Sequence, residues 1–184
     1  MTNEFSELGL QPQLVEAVTR LGYITPTPIQ TKIIPLMLAG HDVIGQAQTG
    51  TGKTAAFVLP ILQALQPDRR GIKALVLAPT RELALQVAKA TIEYGSAMKV
   101  RTLAVYGGQP YGPQVARLRQ GVDVVVGTPG RLLDLIDKGV LDLGSVSTVV
   151  LDEADEMLSM GFVEDIEAIL SKTPAKRQTA LFSA

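Results

Sequence analysis

The segment that decides the fold is Ala47-Gln48-Thr49-Gly50-Thr51-Gly52-Lys53-Thr54. It follows an apolar run and precedes a helical pattern near residues 53–66, which predicts a strand, a glycine-rich turn and a helix. Small residues let successive backbone N–H groups converge on phosphate oxygens, and a helix N-terminus favours negative charge. The segment therefore predicts a phosphate-binding loop in which Lys53 reaches the β- and γ-phosphates and the Thr54 hydroxyl binds Mg²⁺. The strict pattern begins with Gly, where this sequence has Ala47.

Working outward from this loop, apolar strands alternate with amphipathic helices along the chain. The predicted strands are Val43–Ala47, Ala74–Ala78, Val100–Val105, Asp123–Gly127, Thr148–Asp152 and Gln178–Phe182. Several are apolar on both faces, as are strands buried in a parallel sheet. Helical patterns lie near residues 53–66, 80–94, 111–120, 130–138 and 153–171, and Thr27 with Pro28 predicts the start of an earlier helix that runs to about Ala39. This alternation predicts a doubly wound α/β domain, with a mostly parallel sheet and helices on both faces.

Composition narrows the class of protein. The 184 residues carry 17 basic and 18 acidic side chains, for a net charge of −1, which excludes a strongly basic nucleic-acid tail. The absence of cysteine excludes disulfides, thiolate metal sites and cysteine nucleophiles, and the one histidine, His41, excludes a multi-histidine metal site. No apolar run approaches membrane-spanning length and the N-terminus does not resemble a signal peptide. We therefore expect a soluble cytoplasmic protein of one domain.

A carboxylate pair follows the fifth predicted strand. Asp152 stands at the end of a buried strand, where a phosphate-binding loop needs an acidic residue to hold Mg²⁺. Glu153 follows directly and is placed to orient and deprotonate an attacking water. The alternative is an acidic first helical turn that complements the helix dipole, and it applies most strongly to Asp155 and Glu156.

At this point the residues resemble a known family. Asp152-Glu153-Ala154-Asp155 is the box after which the DEAD-box ATP-dependent RNA helicases are named. Further segments resemble other boxes of that family, in order: the Q motif at 22–30 with Phe5 upstream, the loop at 47–54, motif Ia at 79–84, Gly107-Gly108, motif Ib at 128–131, and Ser183-Ala184. The family's loop normally begins with Ala, so Ala47 fits it. The resemblance spans residues 5–184.

The resemblance implies a fold and a domain plan. Residues 1–184 would form one N-terminal RecA-like domain, with a Q-motif region at 1–40 and a P-loop core at 41–184. The family's second RecA-like domain, which supplies an arginine to the γ-phosphate, is not found in this sequence. We therefore expect a fragment that binds adenine nucleotide weakly, hydrolyses ATP very slowly, and does not unwind RNA until it is joined to its C-terminal domain.

The resemblance also implies a nucleotide site for ATP and Mg²⁺. The loop residues Gln48, Thr49, Gly50, Thr51 and Gly52 would hold the phosphates with Lys53 and Thr54. Gln30 would pair with the adenine edge, because an amide presents both a donor and an acceptor. Tyr23 would stack on the base and Phe5 would support that pocket. The alternatives are a solvent-facing Gln30 and core-packing roles for the two aromatic residues.

RNA contacts are implied at three other strand ends. They fall on Pro79, Thr80 and Arg81, on Gly108, and on Thr128, Pro129, Gly130 and Arg131. Helix N-termini and arginines would read the RNA backbone independently of its sequence, which suits a chain without a basic face. For each arginine the alternative is a solvated helix end. Ser183 would hydrogen-bond towards Asp155 and couple the ATP site to the RNA side.

Two rival functions share some of these features. A small nucleotide or metabolite kinase would use the phosphate-binding loop and the acidic strand end, but would not need Gln30, residues 79–84 or residues 128–131. A non-enzymatic ATP-gated RNA clamp would need the same surfaces without hydrolysis, and the full set of Lys53, Thr54, Asp152 and Glu153 argues against it. RNA stimulation of nucleotide turnover separates the first rival from a helicase.

Overall fold

The computed structural model describes residues 2–66 and 70–184. Its strands are β1 (Val43–Gln46), β2 (Ala74–Leu77), β3 (Thr102–Val105), β4 (Val124–Gly127), β5 (Thr148–Leu151) and β6 (Gln178–Ser183). Its α-helices are α1 (Pro12–Arg20), α2 (Pro28–Leu38), α3 (Lys53–Ala64), α4 (Arg81–Tyr94), α5 (Tyr111–Gln120), α6 (Pro129–Asp137), α7 (Ala154–Ser159) and α8 (Val163–Leu170). Short 3₁₀ helices lie at Glu4–Leu8 and Ser96–Met98.

The six described strands form one sheet in the order β1-β6-β5-β2-β4-β3. Every neighbouring pair is parallel, so the predicted parallel sheet is confirmed. Because all six strands run the same way, their carboxyl ends meet at one edge, where ligands bind in sheets of this kind. The loop after β1 and the acidic pair after β5 fall in one half of this edge, and the predicted RNA segments after β2, β4 and β3 fall in the other.

Helices cover both faces of the sheet, as the apolar strands require. Alternate residues of β2 point to opposite sides, so that Val76 joins a core with helices α1 to α4 and Leu77 joins a core with helices α5 to α8. The N-terminal segment belongs to the first core, where Phe5, Leu14 and Ile34 are almost completely buried. Residues 1–40 therefore pack on the same sheet as the rest of the chain, apart from Met1, which lies outside the described residues.

The start of α2 has the capping geometry that the sequence predicts. The Thr27 side chain accepts a hydrogen bond from the Gln30 backbone N–H, and the Gln30 side chain accepts one from the Thr27 N–H. Pro28 occupies the first helical position, where its missing N–H costs nothing. A cap of this kind contributes about 1 kcal/mol. It also fixes the direction of the Gln30 side chain.

The single helix predicted over residues 153–171 is wrong. The structure divides it into α7, which ends at Ser159, and α8, which begins at Val163. Gly161 between them has φ +82°, a left-handed conformation that ends a right-handed helix. The break lets α8 pack Ile166 and Ile169 into the second core.

A buried ion pair joins the start of β3 to the start of β4. Asp123 is fully buried, and its carboxylate accepts hydrogen bonds from the Arg101 backbone N–H at 2.8 Å and from the Arg101 guanidinium at 2.7 and 3.3 Å. The guanidinium is partly exposed, so water still solvates one partner of the pair. The hydrogen bond between the Arg101 guanidinium and the Asp123 carboxylate raises the pKa of Arg101.

We expect Arg101→Met to destabilise the fold by about 3 kcal/mol, because the buried Asp123 carboxylate loses its ion-pair partner. The double variant Arg101→Met/Asp123→Asn should recover part of that loss by removing the buried charge. Urea unfolding of both variants checks this. Lys89→Ala, which breaks a surface pair, should change stability by less than about 0.5 kcal/mol. A double variant no more stable than Arg101→Met would contradict the explanation.

Candidate active site

The loop between β1 and α3 forms an anion cradle. Gly50 and Gly52 have φ of +83° and +85°, left-handed conformations that glycine adopts without strain. The Ala47 N–H donates to the Ser183 carbonyl at 3.1 Å, and the Thr51 hydroxyl donates to the Gln48 carbonyl. No side chain caps the N-terminus of α3, so its first N–H groups are available to phosphate oxygens.

Lys53 stands at the start of α3 and is only 8% exposed. Its Nζ donates to the Ser183 carbonyl at 3.3 Å, which ties the first residue of α3 to the end of β6. Because β6 lies between β1 and β5, the same strand separates the lysine from the acidic pair. The ammonium group therefore lies in the cleft, partly desolvated, where its attraction for phosphate is stronger than in water.

The acidic pair occupies the end of β5. Asp152 is 3% exposed, and burial raises its pKa to about 6, although the charge of Lys53 opposes the shift. A hydrogen bond with Glu156, followed by burial, raises the pKa of Glu153 to about 7. Glu153 also has φ +50°, which is unusual for a residue with a side chain. Strain of this kind costs on the order of 1–3 kcal/mol and is concentrated at functional sites.

Gln30 joins α2 to the phosphate-binding loop. It is 5% exposed, so the solvent-facing alternative is wrong. Its Oε1 accepts from the Thr27 N–H at 2.9 Å, and its Nε2 donates to the Gly52 carbonyl at 3.1 Å. An amide side chain offers two donors and two lone pairs. One Nε2 hydrogen and one Oε1 lone pair are therefore not used by these two hydrogen bonds.

A cleft of about 480 Å³ unites these groups. Thr49, Gly50, Gly52, Lys53, Thr54, Asp152, Glu153, Gln30 and Tyr23 all line it. Tyr23 is 51% exposed, so about half of its surface is accessible. Phe5 instead lies in the core at 1% exposure, and the adjacent Asn3 donates to the Tyr23 carbonyl at 2.7 Å. The hydrogen bond from Asn3 thus attaches the backbone of Tyr23 to the N-terminal segment.

Sequence reasoning missed the wall that α4 contributes to the cleft. Gln86, Lys89, Glu93 and Tyr94 line it opposite the loop. The Tyr94 ring centroid lies 6.5 Å from that of Tyr23, and burial, followed by the proximity of Tyr23, raises the pKa of Tyr94 to about 12. The helical spacing of these residues on one face of α4 was the available signal, but nothing in the sequence indicated that this face meets the loop.

The predicted RNA segments lie together at the other half of the sheet edge. Thr80 caps α4 by accepting the Leu83 N–H at 3.2 Å, whereas Thr128 precedes α6 without a side-chain cap. Gly108 has φ +76°, and a Cβ added there would meet no atom within 4 Å. The Arg81 guanidinium carbon lies 5.0 Å from the centroid of the Tyr106 ring. The Arg131 guanidinium donates hydrogen bonds to the Gln114 side chain and to the Gln109 carbonyl. Pro79 and Pro129 are buried, and Gly130 is exposed.

The hydrogen bond predicted from Ser183 towards Asp155 is not among the hydrogen bonds of the described residues. Asp155 is exposed on α7, and its backbone carbonyl accepts a hydrogen bond from Ser159. Among the hydrogen bonds of the described residues, Ser183 bonds to the loop through its backbone carbonyl, which accepts from both Ala47 and Lys53.

In the described part of the chain no three acidic or histidine side chains cluster as metal ligands, and no helix is long and apolar enough to cross a membrane.

Comparison with known proteins identifies the class. The family model for DEAD/DEAH box helicases matches residues 27–184, and the chain belongs to that family. It is 57% identical over 181 residues to ATP-dependent RNA helicase DeaD of Klebsiella pneumoniae, covering 98% of this chain and 28% of that protein. It is 56% identical over 180 residues to DEAD-box ATP-dependent RNA helicase CshA of Geobacillus kaustophilus, covering 98% of this chain and 38% of that protein. The chain thus spans about a third of the length of these relatives.

Solved structures agree on the fold. A DEAD box protein from the hyperthermophile Methanococcus jannaschii superposes with a TM-score of 0.94 at 42% identity, covering 98% of this chain and 49% of that one. A hypothetical ATP-dependent RNA helicase from Sulfolobus tokodaii gives a TM-score of 0.87 at 47% identity, covering 95% of this chain and 51% of that one. The RecA-like fold predicted from the sequence is confirmed. Family membership also favours the helicase interpretation over a small-molecule kinase.

We expect Gly52→Ala to destabilise the protein more than Gly50→Ala. Both glycines have left-handed backbone conformations, in which a residue with a side chain would be strained by about 1–2 kcal/mol. A Cβ at Gly52 would in addition overlap the Gln30 amide, whereas one at Gly50 would meet no atom within 4 Å. Thermal unfolding without ligand should separate the variants by at least about 1 kcal/mol. Equal melting temperatures would contradict the contact between Gln30 and the loop.

Proposed function

We propose that this chain is the nucleotide-binding RecA-like domain of an ATP-dependent RNA helicase. It binds ATP with Mg²⁺ and the RNA backbone, and it hydrolyses ATP to drive unwinding when joined to a C-terminal RecA-like domain. The observation that carries the proposal is one cleft in which Lys53, Asp152 and Glu153 lie together and Gln30 is bonded to the loop. The greater length of the matched relatives supports the second domain as a partner.

The loop and Lys53 bind the triphosphate. Backbone N–H groups of residues 48–52 and the N-terminus of α3 surround the phosphate oxygens, and Lys53 moves from the Ser183 carbonyl to the β- and γ-phosphates. The Thr54 hydroxyl and the Asp152 carboxylate would hold Mg²⁺. These hard oxygen donors fit that ion, and Asp152 is buried in the cleft that Thr54 also lines. Mg²⁺ neutralises charge on the phosphates when it is bound.

Glu153 is the general base in this proposal. It precedes the first residue of α7 in a left-handed backbone conformation, and its side chain lines the cleft with Asp152. A pKa raised to about 7 suits a base that accepts a proton near neutral pH. The carboxylate orients a water towards the γ-phosphate and takes its proton as the water oxygen bonds to the γ-phosphorus. The bond from that phosphorus to the β,γ-bridging oxygen breaks in the same step, so that ADP leaves and inorganic phosphate is formed.

The adenine and RNA ligands use different halves of the sheet edge. Gln30 pairs with the adenine edge through its remaining donor and lone pair, and Tyr23 stacks on the base. Residues 79–81, Gly108 and residues 128–130 face the RNA backbone, where open glycines allow close approach and helix N-termini meet phosphates. Recognition of backbone and 2′-OH groups makes the binding independent of base sequence.

Gln30→Ala should weaken ATP binding relative to GTP binding. The substitution removes the donor and acceptor that distinguish adenine, whereas the phosphate contacts are common to both nucleotides. Calorimetric titration with the two nucleotides measures the ratio of their affinities, which loosening of the loop alone would not change. Thr31→Ala, on the exposed side of the same helix turn, is the control. An unchanged ratio in Gln30→Ala would refute the assignment.

Glu153→Gln, placed in the protein with both RecA-like domains, should keep ATP affinity and lose hydrolysis. The amide retains the shape of the side chain but cannot accept the proton, which predicts a loss of about 10²–10⁴-fold in the chemical step. Single-turnover kinetics measures that step directly. Glu164→Gln, in the first turn of α8, is the control and should turn over normally. Hydrolysis by Glu153→Gln at the wild-type rate would exclude Glu153 as the base.

A further inference from the structure

The turn between β3 and α5 is attached to its neighbours by two arginine–tyrosine contacts. Tyr106 stands at its start, and the Arg81 guanidinium carbon lies 5.0 Å from the centroid of that ring. Tyr111 stands at its end, and the Arg131 guanidinium carbon lies 4.2 Å from that centroid. The arginines follow β2 and β4, so residues after the neighbouring strand β4 and after β2 beyond it contact the same turn.

Two of the guanidinium nitrogens of Arg131 donate hydrogen bonds within the domain. One donates to the Gln114 Oε1 at 3.2 Å, and the other donates to the Gln109 carbonyl at 3.0 Å. Gln114 is 6% exposed, and its Nε2 donates to the Tyr106 carbonyl at 3.3 Å. The planar guanidinium and the buried amide therefore bridge α6 to both ends of the turn, in a fork geometry that a lysine cannot reproduce.

Tyr111 is held by the same helix. The Lys138 Nζ lies 3.5 Å from the centroid of its ring, and its hydroxyl donates to the Asp134 carboxylate. That hydrogen bond lowers the pKa of Asp134, which also pairs with Lys138 at 3.4 Å. Arg131 and Asp134 lie on one face of α6 and Lys138 is its C-cap, so the ring contacts three charged side chains spaced three and four residues apart.

The turn itself has little else to fix its shape. Gly107, Gly108 and Pro110 are exposed, and a Cβ built on either glycine would meet no atom within 4 Å. Glycine has the largest backbone freedom of any residue, so a turn with two adjacent glycines loses much entropy when it becomes ordered. The contacts of Arg131, Gln114 and Tyr111 supply that order before any ligand arrives.

We propose that Arg131 is a positioning residue rather than a phosphate contact, and that with Gln114 and Tyr111 it preforms the Gly107–Gly108 turn for the RNA backbone. This inference rests on the proposed function and assigns Arg131 a role other than the charge contact expected from the sequence. Preorganisation of this kind raises affinity because the ordering cost is met before binding.

RNA affinity tests this directly. Anisotropy titration of a fluorescein-labelled single-stranded RNA, with a non-hydrolysable ATP analogue present, should give Tyr111→Ala and Arg131→Lys each a 5- to 20-fold weaker affinity. Tyr111→Phe keeps the ring and should recover most of the loss. Arg119→Met, an exposed cation on α5 away from the turn, is the control for the loss of one charge. Wild-type affinity in Arg131→Lys together with Tyr111→Ala would overturn the proposal.

Salt dependence distinguishes position from charge. Removal of a phosphate contact from a single-strand complex lowers the slope of log affinity against log salt by about 0.7. We expect Arg131→Met to weaken binding with an unchanged slope. A slope reduced by that amount, with Tyr111→Ala binding as tightly as wild type, would identify Arg131 as a phosphate contact instead.

A second measurement separates failure of this inference from failure of the proposed function. Without RNA, amide hydrogen exchange at Gly107, Gly108 and Gln109 should be about tenfold faster in Tyr111→Ala and Arg131→Lys than in wild type. Unchanged exchange would overturn the positioning role whether or not the chain binds RNA. A wild-type chain that binds no RNA, with faster exchange in both variants, would refute the RNA assignment and keep the preformed turn.

Discussion

The insertion of β6 between β1 and β5 sets the geometry on which the candidate active site depends. Adjacent strands lie about 4.8 Å apart, so the ends of β1 and β5, after which the loop and the acidic pair follow, are about 10 Å from each other. The Ser183 carbonyl at the end of β6 holds both Ala47 and Lys53, so the intervening strand also fixes the loop.

Several groups in the cleft are in conformations or environments that cost stability. The carboxylate of Asp152 is buried, and Glu153 has a left-handed backbone conformation although it is not a glycine. Such features persist only where the surrounding structure determines them. Here β5 lies in the middle of the sheet, with Val149 and Val150 fully buried on opposite faces. The two hydrophobic cores thereby hold the acidic pair in place, and binding of a cation would relieve part of the cost.

The sequence predicted what is local and missed what depends on strand order. The phosphate-binding loop, the cap at Thr27 and the carboxylates after β5 each follow from a few adjacent residues, and the structure has them where they were expected. No local pattern orders the strands, so the meeting of α4 with the loop, and hence the role of Tyr94, could not be predicted. The break at Gly161 was overlooked because the apolar spacing continues across it. The hydrogen bonds of Arg131 to Gln109 and Gln114 could not be predicted either, because these partners are distant in sequence.

Helix α4 has a mechanical consequence. It begins at Arg81, among the segments proposed to bind RNA, and ends at Tyr94, which lies against Tyr23 in the cleft. Fourteen residues at about 1.5 Å each form a rod roughly 21 Å long. Because such a rod resists bending, a tilt that opens one end displaces the other. A ligand that tilted α4 at Arg81 would therefore also shift Tyr94 against Tyr23.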